Sequence, residues 1–206
     1  MSSPAEVGGI VAGPRRNVCA RNDVAGAMPV HRLNHAVLYV RDAERTAQFY
    51  EDVLGFRRLP IGDGFRGAVF MQAPGSTNDH DLGLFSIGEG ARPSPAGRGG
   101  AVGLYHLAWE VDTLDDLERI AGALSARGAL VGASDHGSTK ALYAQDPDGI
   151  EFEVSWIVPS DALDDNALAG RTTIRPLDLA KEKARYGADT LGGIGVSRPA
   201  PAPSGA

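Results

Sequence analysis

Cysteine occurs once in the 206 residues, at Cys19, so no internal disulfide can form. Its reading is a free thiol in a mobile arm. Positive charge is also short. Twenty Lys and Arg face 26 Asp and Glu, a formal net charge of −6. The basic residues are scattered, with tight pairs only at Arg15-Arg16 and Arg57-Arg58. No basic stripe exists to displace counterions from phosphate, which excludes a nucleic-acid surface. Long apolar runs are missing too. Nothing approaches the roughly 20 residues a bilayer-spanning helix needs, and the N-terminus carries no sustained apolar stretch of a secretory signal. The expectation is a soluble, cytoplasmic protein with no nucleic-acid or membrane partner.

What is present suits a packed globular chain. Hydrophobic residues make up 43% and charged residues 22%, and the 27 glycines imply many turns. Residues 1–30 are small and Gly/Pro/Ala-rich, and read as a flexible arm, disordered or laid over a partner. In RLNHAVLYV (32–40) Leu33, His35, Val37 and Tyr39 share one face of a strand. AERTAQFYEDVLGF (43–56) follows with Ala47, Tyr50, Val53 and Leu54 at helical spacing and Gly55 as a stop. Short strands are expected around 56–61, 65–73 and 81–88. ARPSPAGRGG then makes a hinge, bounded at 91–102.

After the hinge the pattern starts again. GLYHLAWEV (103–111) reads as a strand, and TLDDLERIAGALSARGA (113–129) as a helix capped by Thr113 and ended by Gly128. Strands near 129–134, 140–145 and 150–156 follow, the last two joined by a PDG turn. The unit is strand–helix–three strands, used twice with a period of about 70 residues. The boundaries are 31–90 for the first βαβββ module and 103–158 for the second. Residues 159–206 form a polar, partly disordered C-terminal extension with one helix-like piece at 177–186. The fold class is α+β: two tandem βαβββ modules making a curved, partly closed mixed sheet around a metal site.

Of only five histidines, His35 and His106 occupy the same place in the two units. A pseudo-twofold axis would bring the first strands of the two units together. Two converging imidazoles are half of a divalent-metal site. IEFEV offers Glu151 and Glu153 on one strand face, with Phe152, Val154 and Trp156 on the other. Two His and one carboxylate leave coordination positions open, as in non-haem Fe(II) oxygenases. Trp109, Phe152 and Trp156 read as core, and Arg57-Arg58 as a solvated strand end or a guide for an anionic substrate.

These residues carry a resemblance. Residues 31–157 resemble the vicinal oxygen chelate superfamily, and within it the type I extradiol ring-cleaving dioxygenases. NHAVLYVRDAERTAQFYEDVLGF resembles the opening strand and helix of that family. The segment from His136 through Leu142-Tyr143, Asp146-Pro147 and Gly149 to Glu153 resembles its signature, with Ser134 a mild departure. The resemblance implies His35, His106 and Glu153 as iron ligands, Glu151 being too close to the glycine. It implies His136 and Tyr143 as hydrogen-bond donors facing substrate and oxygen, and His80, in HDLGLF, as the acid/base. His31 has no matching role.

The implied activity is Fe(II)-dependent extradiol cleavage of a catechol-type diol with O2, with Mn(II) an alternative metal. A homo-oligomer, dimer or higher, is implied as well. Two rivals share the scaffold: a glyoxalase-like lyase or isomerase, and a non-enzymatic binding protein of the drug-resistance type. The glyoxalase type needs a fourth ligand, a carboxylate on the last strand of the first unit. That strand offers Leu84 at the expected position.

Overall fold

The computed structural model describes residue 30 and residues 32–60, 64–92 and 102–193. The predicted arm apart from residue 30, with Arg15-Arg16 and Cys19, lies outside the described residues, as do His31, most of the hinge and the PAPAPSGA end. Met1–Leu33 and Asn34–Ala206 are separate units, and every element below belongs to the second.

The first module runs β1 (Ala36–Val40), α1 (Ala43–Leu54), β2 (Arg57–Arg58), β3 (Ala68–Gln72) and β4 (Leu82–Ser86). Alternation in β1 sends Leu38 and Val40 into the core and leaves Val37 and Tyr39 on the open face. Asp42 caps α1 by accepting from the Glu44 and Arg45 amides. The helix stops at Gly55, whose φ of 70° lies in the left-handed region that glycine reaches without a Cβ penalty. The strand expected over 56–61 shrinks to two residues. Arg58 is tied to Glu44 and Glu51, and Arg57 to Gln72, so neither arginine is free to steer a substrate.

The second module repeats the plan as β5 (Leu107–Glu110), α2 (Leu114–Ala126), β6 (Leu130–Asp135), β7 (Thr139–Gln145) and β8 (Glu151–Ile157). Thr113 caps α2 through the Asp116 amide, as its position implied. The strand orders are β1-β4-β3-β2 and β5-β8-β7-β6-β9, so the repeat holds at the level of topology. In each sheet the first and last module strands pair in parallel and the rest antiparallel. The architecture is therefore α+β with two mixed sheets, not one closed sheet.

Both helices pack on the same core. Tyr50 and Val53 of α1, Leu114, Leu117 and Leu124 of α2, and Met71, Leu84, Phe152, Val154 and Trp156 of the strands are all buried in it. The modules meet through aromatic contacts, Phe56 with Trp109 at 5.1 Å and Tyr50 with Phe152 at 5.6 Å between ring centroids. This agrees with reading Trp109, Phe152 and Trp156 as core. Asp148 adds a polar clamp between the modules. Sitting in the β7–β8 turn, it accepts from the Arg41 amide and guanidinium, the Arg45 guanidinium and the Thr46 hydroxyl of the first module.

The described part of the extension joins the second sheet. It forms α3 (Asp165–Gly170), β9 (Arg175–Pro176), which pairs with β6, and α4 (Leu179–Tyr186). Beneath α4 the ammonium of Lys140, fully buried, lies 2.5 Å from Asp135 and 2.9 Å from Glu182. Among the described residues no helix is long and apolar enough to cross a membrane.

Candidate active site

The strands read over 32–40 and 103–111 begin later, at Ala36 and Leu107. His35 and His106 each stand one residue ahead of a strand, at equivalent points of the two modules. On β1 the core side is taken by Ala36, Leu38 and Val40, so His35 falls with Val37 and Tyr39 on the open face. On β5 Leu107 and Trp109 face the core, which aligns His106 with Ala108 on the open side.

Register completes the second half of the site. Glu153 of β8 stands between Ala108 of β5 and Tyr143 of β7. Its carboxylate Oε2 lies 3.2 Å from His106 Nε2, and its Oε1 accepts from the Ser155 hydroxyl at 2.5 Å. Burial, and then the Glu153 charge, push the Tyr143 phenol up to about 12. The phenol therefore stays protonated and able to donate. Glu151, on the same face, is buried at the strand start and pairs in register with Gln145.

His136 and Tyr143 were both expected to donate toward a substrate. Instead they are bonded to each other, His136 Nε2 to the Tyr143 hydroxyl at 2.9 Å. The other ring nitrogen, Nδ1, is 3.2 Å from the main-chain oxygen of Thr173. The Tyr143 ring in turn lies 5.9 Å from His106.

His80, the expected acid/base, is brought to His35. Their ring centroids are 4.5 Å apart. His80 Nδ1 meets Asp79 Oδ2 at 2.9 Å, and His35 Nδ1 meets Asn34 Oδ1 at 2.7 Å. Each oxygen is an acceptor, because the Asn34 amide nitrogen is committed to Asn78. Both imidazoles thus carry hydrogen on Nδ1, leaving the Nε2 lone pair for a metal or a proton. Beside them Phe65, Phe70 and Phe85 form a cluster of edge-to-face rings, with Phe70 5.2 Å from His80.

The donors therefore fall into two pairs, His106 with Glu153 and His35 with His80. Among the described residues no group of three or more His, Cys, Asp and Glu side chains could hold a metal ion as arranged. The donor chemistry nevertheless fits a divalent cation. The 3.2 Å between Nε2 and Oε2 matches two neighbouring ligands on one ion, about 3 Å apart for bonds of about 2.1 Å at a right angle. His106 Nδ1 is buried without a hydrogen-bond partner, leaving this imidazole less firmly oriented than that of His35.

The fourth-ligand position also becomes clear. Leu84, singled out for it, is fully buried on the core side. The residue that pairs with Val37 as Glu153 pairs with Ala108 is Gly83. Any Cβ there would touch the Phe70 ring at 3.4 Å.

Several neighbours of these side chains were missed in the sequence. Asn34 and Asp79 each directly precede a histidine, and that adjacency was a readable signal. Phe65, Phe70 and Phe85 lie at scattered spacings, and Thr173 reaches His136 from a segment with no periodic pattern.

A profile of the Glyoxalase/Bleomycin resistance protein/Dioxygenase superfamily matches residues 32–154. Catechol-2,3-dioxygenase of Bacillus subtilis (strain 168) is 31% identical over 122 residues, 59% of this chain and 40% of that protein. Lactoylglutathione lyase of Neisseria meningitidis (serogroup A) is 30% identical over 125 residues, 59% of this chain and 88% of that protein. The manganese-dependent 2,3-dihydroxybiphenyl 1,2-dioxygenase of Geobacillus genomosp. 3 is 26% identical over 133 residues, 63% of this chain and 38% of that protein. The chain thus spans about two fifths of the length of the two dioxygenases it matches.

Proposed function

Since the chain belongs to the Glyoxalase/Bleomycin resistance protein/Dioxygenase superfamily, we propose that it is a cytoplasmic extradiol dioxygenase that opens a catechol-type ring with O2. The observation that carries this reading is that one equivalent register position holds different residues in the two modules. Glu153 stands beside His106 in the second, while Gly83, under the Phe70 ring, holds the equivalent position in the first. A donor set of His35, His106 and Glu153 then has three members, not four. Three protein ligands leave room for a diol and dioxygen. Two relatives are named as dioxygenases, one of them manganese-dependent, which supports a divalent metal, Fe(II) or Mn(II).

A divalent metal held by His35, His106 and Glu153 would supply Lewis acidity toward the diol and a path for electrons from the ring to dioxygen. The chain's own groups do the rest. His80 Nε2 accepts one hydroxyl proton of the catechol, and the Asp79 carboxylate stabilises the imidazolium that results. Tyr143, protonated at neutral pH and bonded to His136 in the resting chain, turns its hydrogen to where negative charge develops beside Glu153. Phe65, Phe70 and Phe85 offer an apolar wall for the aromatic ring.

A homo-oligomer is part of the same reading. The donors of one chain stand in two separate pairs, so a second copy's His35 joins His106 and Glu153. Val37, Tyr39 and Phe65, 52%, 72% and 57% exposed, give the open face of the first module apolar area to bury in that contact.

The lyase or isomerase reading draws on lactoylglutathione lyase, matched over 88% of its length. The missing carboxylate at Gly83 weighs against it. A non-enzymatic binding protein has no need for the paired donors kept here. The test is oxygen uptake by protein loaded anaerobically with Fe(II) or Mn(II), offered a panel of catechols. Oxygen consumption with a coloured ring-opened product is the expected result. Failure to take up either metal would favour simple binding. Metal uptake with hemithioacetal isomerisation and no oxygen consumption would favour the lyase.

A further inference from the structure

We propose that the C-terminal extension is a positioning element for His136: the Thr173 carbonyl fixes that imidazole in one tautomer, and the tautomer decides where the Tyr143 hydroxyl points. The importance of Tyr143 and His136 rests on the function proposed above. The tautomer itself does not.

A carbonyl oxygen only accepts. At 3.2 Å from Thr173 O, His136 Nδ1 must carry the hydrogen. In the neutral ring Nε2 then holds a lone pair, and the Tyr143 hydroxyl 2.9 Å away donates to it. The phenol hydrogen then has two acceptors within reach, His136 Nε2 and the Glu153 carboxylate. With the opposite tautomer, Nε2–H would donate to the phenol and release the phenol hydrogen toward the Glu153 carboxylate. One carbonyl, outside both modules, thus selects between two hydrogen-bond directions at the ligand pair.

Thr173 O is held in place by several independent contacts. The Thr173 amide and hydroxyl both donate to Gly170 O, at 2.9 and 2.8 Å, closing a tight turn after α3. The turn is pressed against the loop that carries His136. A Cβ built on Gly137 would come within 2.8 Å of Gly170 Cα and closer still to Ala167 O, and Gly137 has a φ of 74°. A Cβ on Gly170 would collide with Gly137 and the Arg175 guanidinium. On the far side, β9 pairs Arg175 with Asp135 and Pro176 with Ser134, directly before His136. Two glycines in backbone contact and a strand pairing therefore set where Thr173 O lies relative to the imidazole.

The test is a long-range proton–nitrogen correlation spectrum of the uniformly 15N-labelled full chain without substrate, with the His136 signals assigned by their absence in His136→Gln. The expected pattern is a protonated Nδ1 and an unprotonated Nε2. A protonated Nε2, or a pattern averaged between tautomers, overturns the proposal. Gly170→Ala displaces the turn and is expected to average the pattern while metal binding stays unchanged. Thr173→Val, which keeps the side-chain volume and removes only the hydroxyl's bond to Gly170 O, is the gentler second variant. A folded variant with a displaced turn and an unaltered His136 pattern would also overturn the proposal. Because the spectrum is read without substrate, a chain that cleaves no catechol can still show the expected tautomer, and a ring-cleaving chain can lack it.

Discussion

At the scale of single residues, the turn leading into β8 depends on one strained carboxyl group. Asp146 Oδ1 accepts from the amides of Asp148 and Ile150, both at 2.9 Å, which sets the path of the chain toward Glu153. Its Oδ2 is buried without a partner, and burial raises the carboxyl to about 6 despite those hydrogen bonds. For an acid with a raised folded pKa, the native state binds more protons than the unfolded chain between the two values. Stability from this group is thus present below about pH 4, is lost as pH rises to about 6, and is flat above. Two units correspond to about 3 kcal/mol. Asp146→Asn keeps the Oδ1 acceptor and removes the titration. Urea unfolding should show the variant gaining about 3 kcal/mol on the wild type between pH 4 and pH 7. A constant gap would mean that the carboxylate is not penalised in the fold. The turn at 147–149 and the shared face of Glu151 and Glu153 were legible in the sequence, because a tight turn followed by alternation gives them, whereas Asp146 and the choice of Glu153 came from the family resemblance. The pairing of His136 with Tyr143 and of His35 with His80 was not legible, since nothing in local spacing reports which side chains meet across strands.

At the scale of elements, helices were read well and strands less so. Asp42, Gly55 and Thr113 act as caps because capping is a local matter between a side chain and amides two or three residues away. β2 and β9 are two residues each, and only a neighbouring strand makes them strands. α3 and the docking of α4 were not foreseen because a polar sequence gives little warning that it will be buried. Lys140 shows why. Its place in the 140–145 strand attracted no expectation of burial, yet its side chain is fully buried because Asp135 and Glu182 close around it. Glu182→Ala leaves a buried ammonium short of a partner and should cost about 3–5 kcal/mol. Replacing both partners, Lys140→Met with Glu182→Leu, should cost much less. Urea unfolding followed by tryptophan fluorescence can check this, since Trp156 donates to Thr190 O just after α4 and lies 5.4 Å from Tyr186. Equal losses in the single and double variants would refute a buried-charge origin.

At the scale of the whole molecule, the repeat was the most legible feature and its use the least. Two copies of one strand order, with a histidine at the same point of each, follow from the period of the sequence. How two open faces are brought together is a matter of packing that no periodicity encodes. If a second copy's His35 completes the His106–Glu153 pair, variants crippled in different halves must rescue each other. His35→Ala and Glu153→Ala alone should each lose stoichiometric metal and oxygen uptake. Mixed after reversible dissociation, half of the dimers formed are hybrids, and each hybrid carries one intact site of two. About a quarter of the wild-type metal content and activity should return in a random two-fold dimer. Light scattering must report a dimer or larger in the same samples. If the three donors instead close within one chain, every hybrid site lacks a ligand and the mixture stays inactive. A monomer with full metal content would remove the second copy from the site altogether.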